Sequence, residues 1–278
     1  MAVLKRGLAV LLLCALATGC AGPTQSRHEQ GPTLALARGW SWQIVQAGTF
    51  DLATAQSPSG ARGQLLSIYL EGDGMAYVSA TKPSMDPTPS DPVALRMALS
   101  DPDGPVAWIG RPCQYTLPEK TGRGCDASYW TNARYAPLVV ASLNQAVDQL
   151  KARYGATQIV LYGYSGGGAL AVLVAAGRDD VVRIVTAAAN LDMTAWVESH
   201  GLTPLTGSLD PARDGMGASR IPQVHFTGSA DDRVGTAVAR SYVHRMPAGA
   251  PIQVIEMAGF THACCWASQW SDLLRKIP

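Results

Sequence analysis

The chain has 278 residues, of which 47% are hydrophobic and 15% charged, a balance typical of one sizeable globular domain with a large core. Its formal net charge is +1, and it has no basic stripe and no internal repeat, which disfavours nucleic-acid binding and a solenoid. None of its six cysteines forms a Cys-x-x-Cys motif, which disfavours a thioredoxin-like redox role.

The N-terminal residues are typical of an export signal. Two basic residues precede an apolar run over 8–16, which is too short to span a bilayer. The run leads into Leu-Ala-Thr-Gly-Cys at 16–20, which resembles a bacterial lipobox with Ala17 in place of the usual leucine and Cys20 as the residue that would receive lipid. We expect residues 1–19 to be removed as a lipoprotein signal peptide and a lipid on Cys20 to hold the exported protein at a membrane, with the bacterial outer membrane and periplasm as the expected location. Ordinary cleavage after Ala17, giving a soluble secreted or periplasmic protein, is the alternative.

Residues 20–35 contain Gly, Pro, Gln and Ser without periodicity, which predicts a flexible tether with a solvated His28. Residues 36–278 then form the folded domain.

Export places that domain in an oxidising compartment, so we expect its four cysteines to be paired. Cys113 and Cys125 flank a polar loop that a disulfide could close, and we favour this pair. Cys264 and Cys265 are adjacent, and could pair with each other or each reach elsewhere. The sequence alone does not choose among the pairings.

Along the domain, apolar runs and helical periodicity predict alternating strands and helices. The predicted strands are 42–45, 50–55, 64–70, 105–109, 158–162, 181–187, 221–226 and 252–255. The predicted helices are 93–99, 134–154, 169–176, 194–199, 235–245 and 266–276, the first of them capped by Ser90 or Asp91, and the rest of 190–220 is predicted to be irregular. The strands are runs of Val, Ile and Leu, which is typical of a mainly parallel sheet with helices on both faces. Functional residues in such a sheet lie at the C-terminal ends of its strands.

The most informative motif, Gly-Tyr-Ser-Gly-Gly-Gly at 163–168, stands between a predicted strand and a predicted helix. In a G-x-S-x-G turn of this kind, glycines flank a serine whose hydroxyl is lifted from the end of the sheet. A phosphate-binding loop would end in Gly-Lys-Ser/Thr, and a dinucleotide fingerprint would need a glycine where Ser165 stands. A purely structural turn is the remaining alternative. We predict that Ser165 is a nucleophile.

A serine nucleophile needs a base to take its proton, and imidazole titrates in the right range. Of the five histidines, His262 alone follows the C-terminal end of a predicted strand on a loop. His225 lies inside a predicted strand, where a role in the core or on a face of the sheet is expected. His244 lies within a predicted helix, where a surface position is expected. His200 is a second candidate. His262 is therefore the predicted base.

An acid must orient that imidazole. Asp231 and Asp232 both follow strand 221–226, and the spacing Gly-x-x-Asp-x-x-Val around Asp231 resembles the acid turn of many hydrolases. Asp232 could instead cap the next helix. Asp192, after the preceding strand, is a second candidate. Asp231 is the predicted acid.

The chain order Ser165, Asp231, His262 is that of the α/β-hydrolase fold, and the resemblance extends from about residue 42 to the end. More specifically, the sequence is similar to an uncharacterised family of bacterial α/β-hydrolase-like lipoproteins in four segments: Glu-Gly-Asp-Gly at 71–74, Gly-Arg-Pro-Cys-Gln-Tyr at 110–115, Gly-Tyr-Ser-Gly-Gly at 163–167 and His-Ala-Cys-Cys-Trp at 262–266. The resemblance implies a serine hydrolase and supplies no substrate. The sequence has no long insertion with a clear helical pattern, so we expect no large lid domain.

Acyl transfer also needs donors for a developing oxyanion. The backbone N–H of Gly166 is one. Related hydrolases often carry His-Gly after the strand that corresponds to 64–70, whereas this chain has Glu71-Gly72, so the N–H of Asp73 is the nominal second donor and Gly74 the alternative. An acid beside the pocket would disfavour anionic substrates unless Arg111 neutralises it.

The sequence thus predicts an exported, membrane-tethered serine hydrolase that acts on a small-molecule ester or acyl bond. It indicates no metal, no cofactor and no nucleic-acid partner. A serine peptidase of the same fold and a non-catalytic surface or binding lipoprotein are the alternatives.

Overall fold

The computed structural model describes residues 26–58, 64–116 and 122–278, so the predicted signal peptide and Cys20 lie outside the described residues. The strands are β1 (Ser41–Ala47), β2 (Phe50–Gln56), β3 (Leu65–Leu70), β4 (Val106–Ile109), β5 (Gln158–Tyr164), β6 (Val181–Ala187), β7 (Gln223–Gly228) and β8 (Ile252–Met257). The helices are α1 (Arg27–Ala37), α2 (Val93–Ala98), α3 (Pro137–Tyr154), α4 (Gly166–Ala175), α5 (Met193–His200), α6 (Pro211–Asp214), α7 (Thr236–Arg245) and α8 (Trp270–Leu274).

The strands form one 8-stranded sheet in the order β1-β2-β4-β3-β5-β6-β7-β8. Strand β2 runs antiparallel to both β1 and β4, and every pairing from β4 through β8 is parallel. The register places Leu70 opposite Gly163, so the ends of β3 and β5 meet at one edge of the sheet. The predicted parallel sheet is confirmed, and its C-terminal edge collects the loops that carry the candidate site residues.

Two apolar clusters cover the two faces of the sheet. One contains buried side chains of α3, α4 and α7, and the other contains those of α1, α2 and α8. Within the described ranges, no segment between β6 and β7 forms a separate lid domain; short helices α5 and α6 and a 3₁₀ turn, Met216–Arg220, fill this connection. It is therefore more helical than predicted.

The predicted tether is wrong where it is described, because helix α1 occupies most of it. The Glu29 side chain accepts a hydrogen bond from the N–H of Ser26 at 3.1 Å, and His28 binds Asp86 at 2.9 Å instead of being solvated. The helix has no apolar stripe for periodicity to detect, since it buries only Gly31 and Ala35. The folded domain thus includes residues from Ser26 onward.

The predicted cap of α2 is also wrong. Neither Ser90 nor Asp91 caps the helix; the carboxylate of Glu71 accepts the N–H groups of Ala94 and Leu95, each at 3.2 Å. A carboxylate at a helix N-terminus satisfies free N–H groups and is favoured by the helix dipole. This cap comes from a residue distant in the sequence.

Two predicted helices are shorter than expected. Helix α3 begins at Pro137 and not at residue 134, as is common for proline in a first turn. The closing segment is a 3₁₀ turn, Ala267–Gln269, followed by the short helix α8.

The structure pairs Cys113 with Cys125, the pair favoured from the sequence, and Cys264 with its neighbour Cys265. No helix of the described part is long and apolar enough to cross a membrane.

Candidate active site

Ser165 lies on a tight turn between β5 and α4. Its backbone has φ 52° and ψ −124°, an unusual conformation for a residue other than glycine, and its N–H donates to the carbonyl of Ala187 at 2.9 Å. A Cβ on Gly163 would lie 2.4 Å from the Gly167 oxygen, and a Cβ on Gly167 would lie 2.1 Å from the Leu70 oxygen. Both glycines are required by close backbone contacts, which is the geometry of a nucleophile elbow.

His262 lies on the loop after β8, and its Nε2 is 3.1 Å from Oγ of Ser165. Two side chains hold its backbone, because the Tyr164 hydroxyl and the Trp266 indole both donate to the His262 carbonyl, at 2.7 and 3.0 Å. The histidine is therefore held at the serine by contacts that leave both ring nitrogens free for other partners.

Asp231 occupies the other side of the imidazole, with Oδ2 2.9 Å from Nδ1 of His262. Its Oδ1 accepts the N–H groups of Arg233 and Val234, both at 2.9 Å. Burial by itself raises the pKa of Asp231, but the hydrogen bonds from His262 and the two backbone groups bring that pKa below its usual value. The carboxylate is thus kept ionised. Asp232 is exposed, and α7 begins without a side-chain cap.

The structure gives the other candidate residues different surroundings. Asp192 caps α5 and pairs with Arg245 at 2.7 Å. His200 is exposed at the end of α5, and His244 is exposed on α7, as expected for a surface residue. His225 is fully buried in β7, and burial lowers its pKa to about 3. Of the five histidines, His262 is the one hydrogen-bonded to Ser165.

The N–H groups of the two predicted oxyanion donors, Gly166 and Asp73, make no hydrogen bond to any described residue, and the same holds for Gly74. The Asp73 side chain lies directly beside the elbow, since a Cβ on Gly166 would be 2.1 Å from its Oδ1. The loop after β3 therefore contacts the N-terminus of α4.

The Asp73 carboxylate lies between two arginines and a tyrosine. Arg111 and Arg134 both form ion pairs with it, the latter at 2.9 Å, and the Tyr135 hydroxyl donates to it at 3.3 Å. Burial raises the pKa of Asp73, and the guanidinium groups of Arg134 and Arg111 outweigh that effect and lower it. Two cations, and not Arg111 alone, thus offset the acid beside the pocket. No local pattern indicated this role for Arg134, because its partner Asp73 is far away along the chain.

The Glu71 carboxylate is held by backbone and indole N–H groups. Besides capping α2, this buried carboxylate accepts the N–H of Gly72 and the Trp108 indole N–H, both at 3.0 Å. Burial raises the pKa of Glu71 to about 7, although these donors act in the opposite direction. Gln114 also fixes this loop, since its amide donates to the Gly72 carbonyl at 2.9 Å. Glu71 and Gln114 thus hold the loop after β3 in place, a role that the spacing of residues in the sequence did not indicate.

A cavity of about 510 Å³ opens at Ser165 and His262. Its walls include Asp73, Met75, Tyr77, Asn190, Trp196 and Arg233. Nowhere in the described ranges do three or more His, Cys, Asp or Glu side chains cluster so that they could hold a metal ion. The arrangement can present a hydroxyl, a base and two backbone donors to one small molecule.

Comparison with known proteins identifies the fold. No protein-family model matches the chain, and no curated protein matches it by sequence. Among solved structures, it is similar to an α/β serine hydrolase without a lid from Xanthomonas campestris (13% identity, 86% of this chain and 95% of that chain, TM-score 0.53). It is also similar to an α/β serine hydrolase homologue from Coxiella burnetii (15% identity, 85% and 95% covered, TM-score 0.54). An esterase from Pyrococcus furiosus matches with 12% identity, 87% and 92% coverage and a TM-score of 0.57. The chain therefore has the fold of the α/β-hydrolase superfamily.

Proposed function

We propose that this protein is a serine hydrolase that cleaves an ester or acyl bond through a covalent acyl-enzyme. The observation that carries the proposal is the continuous hydrogen-bonded path from Ser165 Oγ to His262 Nε2 (3.1 Å) and from His262 Nδ1 to Asp231 (2.9 Å), beside an open cavity. Such a path connects a nucleophile to a base and the base to an orienting acid.

In this mechanism, Nε2 of His262 takes the Ser165 proton as Oγ attacks the carbonyl carbon. Asp231 accepts a hydrogen bond from the Nδ1–H of the ring, which leaves Nε2 as the acceptor of the serine proton and stabilises the imidazolium once it forms. The N–H groups of Gly166 and Asp73 stabilise the tetrahedral anion. His262 then returns the proton to the leaving group, and water releases the acyl group by the same steps.

An esterase among the structural neighbours supports the choice of the ester class. A peptidase would use the same side chains on an amide, and a non-catalytic binding protein would keep the fold without turnover. Reaction with a phosphonate probe distinguishes an enzyme from a non-catalytic binding protein. Paired ester and amide substrates distinguish an esterase from a peptidase.

The experiment is labelling with a fluorophosphonate probe, which reacts with activated serines. We expect labelling of the wild type, loss of labelling in Ser165→Ala, and a loss of turnover of about a millionfold in that variant. Ser90→Ala is the matched control, since Ser90 lines the same cavity while the His262 ring is hydrogen-bonded to Ser165 and Asp231. No labelling of the folded wild type would favour the binding protein. Hydrolysis of aminoacyl amides in preference to a panel of esters would favour the peptidase.

We also propose that the protein is exported and held at a membrane by lipid on Cys20, as the lipobox-like segment at 16–20 indicates. In cells fed a labelled fatty acid, the wild type should carry the label and fractionate with membranes. Cys20→Ser should lose the label; an unchanged label in this variant would contradict the lipoprotein proposal.

A further inference from the structure

A hairpin-like loop stands at the mouth of the candidate active site. This rim hairpin, residues 75–86, is closed by hydrogen bonds from Val78 N to Lys82 O at 3.0 Å and from Ser84 N to Ala76 O at 2.9 Å. Its first residues, Met75, Ala76 and Tyr77, also line the cavity. Whatever contacts the tip of the rim hairpin therefore lies next to the entrance of the site.

The rim hairpin exposes three large apolar side chains beside a mostly polar turn, Ser79-Ala80-Thr81-Lys82. Tyr77 is 40% exposed, Val78 55% and Met85 87%. Lys82 is the single charged residue between positions 75 and 85. An aromatic residue, aliphatic side chains and a lysine on one protruding loop are the composition of a segment that lies in a membrane interface. Such exposed apolar side chains also mark interaction sites in general.

The N-terminal end of the described chain is fastened to the base of this same hairpin. Arg27 pairs with Asp86 at 3.1 Å and donates to the Thr88 carbonyl at 2.9 Å, and His28 binds Asp86 at 2.9 Å. Cys20 precedes Arg27 by seven residues, and seven residues span at most about 25 Å. A lipid on Cys20 would therefore keep the rim hairpin within that distance of the bilayer surface.

We infer that the rim hairpin is a membrane-docking surface. Val78, Met85 and Tyr77 enter the headgroup region of a lipid bilayer, and Lys82 faces anionic headgroups, so the mouth of the cavity opens toward the membrane. The docking rests on the exposed residues and, through the position of the N-terminus, on the proposed lipid at Cys20. That the cavity takes an ester carried in the same bilayer rests, in addition, on the proposed hydrolase function.

A bilayer fits this surface better than a second copy of the chain does. A symmetric contact between two rim hairpins would bring two Lys82 charges into one small interface, which is unfavourable for like charges. Anionic lipid instead attracts that charge, and about 1 kcal/mol per basic residue is typical near such a surface.

The first experiment measures binding without catalysis. A chain that begins at residue 20 and carries Cys20→Ser keeps every described residue and cannot be lipidated. We expect it to sediment with vesicles of phosphatidylethanolamine and phosphatidylglycerol. Val78→Ser/Met85→Ser should lower the partition coefficient at least about tenfold, because two apolar side chains leave the interface.

The matched control is Leu65→Ser/Met216→Ser, which removes two exposed apolar side chains from other elements. Leu65 is the first residue of β3, at the end of the strand opposite to the cavity. The control should therefore bind vesicles as well as the parent chain does. Circular dichroism melting checks that both double variants are folded.

The second experiment measures turnover of a soluble ester and of a long-chain ester dispersed in the same vesicles. We expect Val78→Ser/Met85→Ser to leave soluble turnover unchanged and to slow vesicle turnover at least about tenfold, in proportion to the lost binding. Absence of turnover on both esters with binding intact would refute the hydrolase proposal and leave the docking surface standing. The docking proposal would be overturned if the parent chain did not bind vesicles, or if the two double variants bound them equally well. It would also be overturned if Val78→Ser/Met85→Ser abolished self-association of the protein and left vesicle binding unchanged.

Discussion

Replacement of Asp231 by asparagine tests the arrangement of the candidate triad. In the structure, Oδ1 of Asp231 accepts two backbone N–H groups and Oδ2 faces Nδ1 of His262. An asparagine must keep its single oxygen on the two N–H groups, since its NH₂ would otherwise face two donors. The NH₂ then donates to Nδ1 of His262, which forces the ring proton onto Nε2. The ring can no longer accept the Ser165 proton.

The wrong tautomer should cost about 10⁴ in kcat, the loss found for the equivalent change in another serine hydrolase triad. That factor corresponds to about 5 kcal/mol of barrier height. The assay is kcat and KM for a soluble ester, with the rate of fluorophosphonate labelling as an independent readout. Because the oxygen keeps both backbone donors, the melting temperature should change little.

Asp232→Asn is the matched control. Asp232 is the exposed neighbour of Asp231, and its side chain has no contact with His262, so turnover should stay within about twofold of the wild type. A larger loss in Asp232→Asn than in Asp231→Asn, or equal losses in both, would refute the assignment. An unimpaired Asp231→Asn enzyme would refute the role of the acid altogether.

Two further predictions concern the loop after β3. Folding raises the pKa of Glu71 from 4.5 to about 7, so this carboxyl favours the folded state below pH 4.5 and loses that contribution as the pH rises through 7. Glu71→Gln removes the titration, and the wild type should therefore lose up to about 3 kcal/mol of unfolding free energy relative to the variant across that window; parallel pH profiles in urea unfolding would contradict this. Gly166→Ala places a Cβ 2.1 Å from Oδ1 of Asp73, which should destabilise the protein by about 1–3 kcal/mol and slow fluorophosphonate labelling. Gly177→Ala, where a Cβ meets nothing within 4 Å, should change neither, and an unaffected Gly166→Ala protein would show that the loop adjusts freely.

Much of the fold was predictable because it depends on local pattern. Buried parallel strands are short apolar runs, and helices that cover a sheet repeat apolar residues every three or four positions. The serine turn is local in part: Gly163 avoids atoms of Gly167 and Gly168 in the same turn, whereas Gly167 avoids Leu70 and Glu71 at the end of β3, far away in the sequence. After β7, the resemblance of the spacing to the acid turn of many hydrolases predicted Asp231 over Asp232, and Asp231 is the residue hydrogen-bonded to His262.

What the sequence by itself determined, then, is the alternation of strands and helices and the positions of Ser165, Asp231 and His262 at strand ends. Only the tertiary structure decided that residues 27–37 form a helix, that Glu71 caps α2, and that Asp73 lies between two arginines. The physical reason is the range of the contacts. Periodicity records which side chains face a core, but an ion pair or a helix cap between residues far apart in the chain exists only once the sheet has brought their loops to the same edge.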